Sequence, residues 1–332
     1  MARPRIAPDL HLLGKVSTLY YLRDQTQHQI AERLGLSRPA VSRLLSEARR
    51  RGIVQIAIAP QPGAHLELES RLEERFELEE VQIVSAEPRQ SPELLRRQLG
   101  AAAAAYLARI VPARRAIGLT WGTTLSAMVQ AMPRLHLRDV EVVQMLGGIG
   151  PPAADAYAAD VVRRLAQTLD ATAVLLPVPG VVATPAVRDV LRKDAHVRGA
   201  LQRLDALDIA FVGIGALSTN ALLTDGRSVP ARTRSELRAG GAVGDVALRF
   251  FDAAGAPVRT SLDDRLLGIT RAQLQQIPHV VAVAGGAAKA DAIHAALLSG
   301  TVDVLITDHL TAERVVQKAD PSSTSARSRR SS

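Results

Sequence analysis

The sequence contains no cysteine. Disulfides, thiol nucleophiles and cysteine metal sites are excluded at once, and nothing in the remaining residues calls for a metal or a cofactor. Aromatic residues are scarce, at 3% of 332 residues, so the cores must be built from Leu, Val, Ile and Ala. No apolar run approaches the roughly 18 residues of a membrane helix. The start, MARPRIAPDL, lacks the apolar centre of a signal peptide. The expectation is a soluble cytoplasmic protein with no membrane partner.

What is present is apolar content of 47%, ample for packed cores, and a length that suits two domains of unequal size. Net charge is +8, and it is unevenly placed. Residues 1–60 hold ten Lys/Arg against four Asp/Glu, and the last eleven residues add three arginines and no acid. The stretch 61–321 is near neutral, with 28 basic and 29 acidic residues. A basic head on a neutral body is the pattern of a chain whose head alone meets a polyanion. A solvated, randomly basic surface is the alternative on charge alone.

The head reads as three helices. DLHLLGKVSTLYYL has apolar residues at helical spacing, and Thr26 can cap a short second helix, QHQIAERL, that buries Ile30, Ala31 and Leu34. Gly35 supplies a left-handed residue for a tight turn. Ser37 caps the third helix and Pro39 fits its first turn. In that helix Val41, Leu44, Leu45 and Ala48 form one apolar face, while Arg38, Ser42 and Arg43 lie toward the other. A recognition helix enters the major groove with its N-terminal half leading, where an arginine can bridge O6 and N7 of guanine. The candidate DNA-binding residues are therefore Gln27, Ser37, Arg38, Pro39, Ser42 and Arg43, and the partner is a double-stranded DNA operator. The alternating VQIAIAP at 54–60 reads as the wing of a winged helix. A plain three-helix bundle is the competing reading.

Residues 64–76 form a charged helix with Leu66, Leu68, Leu72 and Phe76 as candidate buried positions, either a packed linker or a dimer contact. From Val81 onward strands and helices alternate. Strands are expected at 81–84, 116–119, 141–146, 173–176, 209–215, 280–284 and 302–307, with helices at 92–110, 124–132, 155–169, 185–203, 289–299 and 309–318. Short apolar strands between amphipathic helices imply a mostly parallel sheet covered on both faces. The fold class is thus α/β: an N-terminal winged helix-turn-helix (1–60), a linker helix (61–80) and a doubly wound α/β effector-binding domain (81–320). A low-complexity basic tail, 321–332, is expected to be disordered.

Ligands of open α/β sheets bind beyond the C-terminal strand ends, and four loops have suitable chemistry. Thr120–Thr124 offers Gly122 for close approach and the hydroxyls of Thr123 and Thr124 at a helix start, a phosphate-binding combination. The same residues would equally serve as an ordinary capping turn. Gln144–Gly150 places Gly147 and Gly148 just after a strand. Gly285–Lys289 sets Gly286 and then Lys289 in the first turn of a helix, where a cation opposes the helix dipole unless an anion is near. Gly241–Asp245 is read as a loop whose carboxylate could accept sugar hydroxyls or simply hold a turn.

YYLRDQTQHQIAERLGLSRPAVSRLLSEARRRGIVQIAI resembles the DNA-binding region of the SorC/DeoR-type sugar-binding transcriptional regulators. WGTT, QMLGGIG, FVGIGALS, GAVGDVALRFFD, VAVAGGAAKADAIHAAL and VDVLITD follow in the family's order, so the resemblance spans about residues 10–318. It implies the fold of glucosamine-6-phosphate deaminase and ribose-5-phosphate isomerase, a phosphorylated sugar effector that is bound rather than turned over, and a homo-oligomer, dimer or tetramer. It assigns Gly122, Thr123 and Thr124 to the phosphate loop and Lys289 to ligand contact, and carries over Gln144, Gly147, Gly148 and Asp245. The chain departs from the family at His309-Leu310, where an acidic residue often follows the aspartate, and in the Pro- and Ala-rich stretch 150–156.

The expected function is a transcriptional regulator of carbohydrate metabolism whose operator binding is controlled by a sugar or sugar phosphate, with no catalytic residue. The alternatives are a sugar-phosphate isomerase- or deaminase-like enzyme with a fused DNA-binding head, in which Asp245 or Asp308 would move protons or Lys289 would form a Schiff base, and a DNA-binding protein that senses nothing.

Overall fold

The computed structural model describes residues 9–56, 65–111, 115–148, 152–217 and 231–319. Two compact units emerge, Met1–Pro62 and Gly63–Ser332. The basic tail at 321–332 lies outside the described residues.

In the first unit, α1 (Leu10–Ser17) runs into a π-type turn, Thr18–Leu22. Helix α2 (Gln27–Leu34) opens on a capping box. Thr26 Oγ1 accepts from Gln29 N, and Gln29 Oε1 accepts from Thr26 N at 2.9 Å. Gly35 ends α2 at φ 66°, the left-handed conformation expected of it. Helix α3 (Arg38–Arg50) starts from Ser37, whose Oγ accepts from Ala40 N at 3.3 Å, with Pro39 in its first turn. Val41, Leu45 and Ala48 are buried and Leu44 is half-buried, and Val16, Leu19, Ile30 and Ala31 complete this core. Of the expected wing, Val54–Ile56 carries no strand pairing, and residues 57–60 lie outside the described residues.

The second unit is built on β1 (Glu80–Val84), β2 (Ala116–Leu119), β3 (Glu141–Gln144), β4 (Thr172–Val174), β5 (Ile209–Val212), β9 (Val280–Val283) and β10 (Val304–Asp308). Together they make a seven-stranded parallel sheet of order β1-β10-β9-β5-β2-β3-β4. Strands β2, β5, β9 and β10 are buried along their whole length, as a sheet covered on both faces requires. Helices α5 (Pro92–Ile110), α6 (Thr123–Ala131) and α7 (Pro152–Leu169) cover one face. Helices α4 (Leu66–Phe76), α12 (Ala290–Leu298) and α13 (His309–Ala319) pack on the other, and α10 (Ala231–Ala239) and α11 (Arg271–Leu274) lie between β5 and β9 in the chain.

Four expectations are corrected. The single helix expected at 185–203 is two, α8 (Pro185–Lys193) and α9 (Ala195–Gln202), because Asp194 leaves the helical conformation and caps α9 through His196 N and Val197 N. The strand expected at 209–215 breaks at Gly213: its second half, β6 (Ile214–Ala216), joins a separate antiparallel sheet with β7 (Ala242–Val246) and β8 (Arg249–Asp252). The segment read as a loop at 241–245 is therefore mostly strand. Leu66 is 51% exposed rather than buried, while Leu72 is buried and Leu68 and Phe76 pack half-buried beside it.

Helix α4 also closes a sheet edge. Strand β1 is terminal in the sheet, and an open edge invites further pairing. Glu73 and Glu69, one helical turn apart, accept from Val81 N and Ile83 N at 2.8 Å each. Burial pushes the Glu69 carboxyl above its usual range, the electrostatic cost of that cover.

Candidate ligand cavity and DNA-facing helix

Chain order reverses between the adjacent strands β2 and β5: β3 and β4 continue to one side, β9 and β10 to the other. Loops leaving β2 and β5 therefore part from each other, and the gap they leave is where such sheets bind ligands. A cavity of about 360 Å³ lies there. Thr120–Leu125 lines it from the end of β2, Gly213 and β6 from the end of β5, Leu146 from just beyond β3 and Lys289 from the loop after β9.

Gly122, Thr123, Thr124, Asp245 and Lys289 all line this one cavity. No side chain caps α6, which begins at Thr123 on the cavity lining, and this leaves its first amides as hydrogen-bond donors. Lys289 Nζ donates to Ile214 O at 2.9 Å. Burial lowers its pKa, an effect partly opposed by the nearby Asp245 carboxylate. A lysine that burial disfavours as a cation gains from an anion beside it. Asp245 is 7% exposed, and its Oδ2 accepts from Leu248 N at 3.0 Å.

Four expected residues do not line the cavity. Gln144 is buried with its amide spent on the backbone: Nε2 donates to Leu146 O at 2.9 Å and Oε1 accepts from Leu176 N at 3.3 Å. Gly147 is needed for close approach of backbone, since a Cβ there would come within 2.4 Å of Val178 O. Gly148 O accepts from Gly180 N at 2.6 Å in the same contact. Gly286 N is turned away, donating to Asp308 Oδ2 at 2.7 Å and Thr311 Oγ1 at 2.9 Å.

The cavity is also lined by Trp121, Leu146, Tyr157, Ile214, Ala247 and Leu248, among residues that the sequence does not single out as ligand contacts. Trp121 is the chain's one tryptophan, and Tyr157 is one of four tyrosines. Their rarity was the available signal. Ala247 and Leu248 form the two-residue tip of the β7–β8 hairpin, both at positive φ, 51° and 59°. Two such residues define the turn that suits a tight hairpin, which ordinarily carries Asn-Gly or Asp-Gly. Its absence hid the hairpin, and the strained tip sits at the cavity wall, where such strain concentrates.

In the head, Arg38, Pro39, Ser42 and Arg43 are exposed along the N-terminal half of α3. The apolar face behind them is the one packed on α1 and α2. Gln27 is half-buried and borders a groove with Tyr20, Tyr21, His28 and Arg38. Ser37 is exposed, but its hydroxyl is held as the cap of α3. At the other end, Arg50 and Arg51 both pair with Glu47. Arg38 and Arg43 make no ion pair among the described residues, which leaves the cations at the leading end of α3 for a polyanion.

The sugar-binding domain family (Sugar-bind) matches residues 61–317, and the sigma-70 region 4 family matches residues 16–51. The chain is 33% identical over 303 residues to the deoxyribonucleoside regulator of Bacillus subtilis (strain 168), covering 91% of this chain and 96% of that protein. It is 32% identical over 312 residues to the transcriptional regulator LsrR of Klebsiella pneumoniae subsp. pneumoniae, covering 93% of each. The crystal structure of the full-length sorbitol operon regulator SorC from Klebsiella pneumoniae superposes with a TM-score of 0.71 at 30% identity, over 92% of this chain and 98% of that one. With a helix-turn-helix head that turns arginines outward and a sugar-binding body, the chain belongs to the SorC/DeoR-type sugar-binding transcriptional regulators.

Proposed function

We propose that this regulator senses a phosphorylated sugar in the cavity between β2 and β5, and that occupancy sets its affinity for an operator. The observation that carries the reading is the convergence of Lys289 and the uncapped start of α6 on one cavity. The phosphate would take the α6 amides, Thr123, Thr124 and the lysine, leaving Asp245 to meet a sugar hydroxyl. Arg38, Ser42 and Arg43 would face the DNA, with Gln27 and Ser37 near the backbone. A homo-oligomer, dimer or tetramer, suits a helix-turn-helix protein, because paired heads match paired half-sites. The protein would act in the cytoplasm, where its operator is, and no described helix is long and apolar enough to cross a membrane.

Binding without turnover is the favoured reading. Among the described residues the cavity lining holds one carboxylate, Asp245, and no histidine. Asp308 spends its carboxylate on Gly286 N and Thr311.

The test is thermal stability against a panel of sugars and pentose and hexose phosphates. A phosphosugar at a hundred times its Kd adds about 2.7 kcal/mol, and Lys289→Ala is expected to abolish that gain. Stabilisation by unphosphorylated sugars alone would remove the phosphate assignment. Sustained product formation, lost in the same variant, would make the protein an enzyme.

A further inference from the structure

We propose that α13 couples the ligand loop to α4, the helix through which the chain enters the body from the head, and that His309 is the coupling residue. The inference rests on the cavity reading above, since Lys289 must sit on a ligand-binding loop for the coupling to be used.

One side of α13 fastens that loop. Asp308, 1% exposed at the end of β10, accepts from Gly286 N at 2.7 Å, from Thr311 N at 2.9 Å and from Thr311 Oγ1 at 2.7 Å. Gly286 N lies 2.9 Å from Thr311 Oγ1 as well, and Arg314 Nη1 reaches Ala287 O at 3.5 Å. The residues just before Lys289 are thus tied to the first turn of α13.

The other side grips α4 at both ends. His309 Nδ1 accepts from Ala86 N at 3.1 Å, which leaves the ring proton on Nε2. The same ring stacks on His65, centroids 4.8 Å apart and planes within 4°. His65 directly precedes α4, and its Nε2 lies 3.0 Å from Ser85 Oγ. At the far end Arg75 Nη2 donates to Ala319 O at 3.4 Å, and Leu72 shares a core with Val315 and Val316.

A rigid helix held this way moves as a unit. Lys289 has two alternative partners, the Ile214 carbonyl it now holds and an anion in the cavity. Exchange of one for the other shifts the Gly286–Lys289 loop, the Asp308–Thr311 turn follows, and the His309–His65 stack carries the shift to the root of the linker. Such a route counts as coupling only where perturbations at its two ends interact.

The experiment is amide hydrogen exchange on the full-length chain, read over α4, in a double-mutant cycle. Thr311→Val removes a hydroxyl that accepts from Gly286 N. His309→Asp keeps an acceptor for Ala86 N but removes the stack. Each single variant is expected to speed α4 exchange about three- to tenfold, and the double variant no more than His309→Asp alone. Unchanged α4 exchange in Thr311→Val, or effects that multiply in the double variant, would overturn the coupling. Protected amides in β2 and β5 report an intact fold; if Thr311→Val loses them, the exposed Arg314→Ala replaces it in the cycle under the same criteria. Trp121 fluorescence titrated with ribose 5-phosphate reads the cavity separately, so a failed cavity assignment and a failed coupling give different results.

Discussion

Two side chains have consequences that can be measured one residue at a time. Thr307 is fully buried in β10, and its Oγ1 has no hydrogen-bond partner among the described residues. A buried hydroxyl without a partner loses its hydration for nothing, whereas valine has nearly the same shape and no polar atom. Thr307→Val is expected to raise unfolding stability by about 1 kcal/mol, read from urea or thermal denaturation; a loss of that size would reveal a partner for the hydroxyl. Lys289 gives a pH prediction. Burial lowers its pKa in the free protein, and a phosphate beside it raises the pKa again. Between the two values binding draws a proton onto the amine, so alkaline calorimetry in buffers of different ionisation enthalpy should show proton uptake. Proton release would place the ligand's charge elsewhere. The same lowered pKa means that the buried amine costs stability at neutral pH, and that stability recovers as pH rises from the folded value toward the ordinary 10.5.

Elements carry the next level. Helix boundaries in the head were legible because each has a local cause: Thr26 and Ser37 cap, Pro39 fits a first turn and Gly35 takes the left-handed turn. The β7–β8 hairpin was illegible for the complementary reason. Its tip uses Ala247 and Leu248 at positive φ, where sequence alone expects Gly or Asn. The conformation costs an L-residue roughly 1–2 kcal/mol, and tertiary packing of Leu248 holds it in place. Ala247→Gly is accordingly expected to stabilise the protein, by about 0.5–1 kcal/mol after the entropic penalty of glycine. Chemical denaturation checks this, and a destabilised variant would show that the alanine methyl contributes more by packing than its φ costs. The broken strand at Gly213 follows the same logic: its apolar run gave no sign of changing sheets, because both halves are buried.

For the whole molecule, the charge partition makes the head the DNA-binding part. Arg38→Ala and Arg43→Ala should each weaken operator binding by about 1–3 kcal/mol if the side chain reads a base. A phosphate contact instead lowers the salt slope by about one. Fluorescence anisotropy over a salt series separates the two, and an unchanged affinity in the double variant would remove α3 from the groove. The sequence determined the head, the alternation of strands and helices, and the residue types able to meet an anion, because periodicity, capping and charge act over a few neighbouring residues. Tertiary structure decided which of those residues share a space. Thr124 and Lys289 are far apart in sequence but meet because β2, β5 and β9 are neighbours in the sheet. Gln144, Gly147 and Gly148 looked equally suited, yet backbone elsewhere in the fold takes up their polar groups or crowds against them. Buried polar groups must be satisfied, and only the folded chain shows whether neighbouring backbone or a ligand satisfies them.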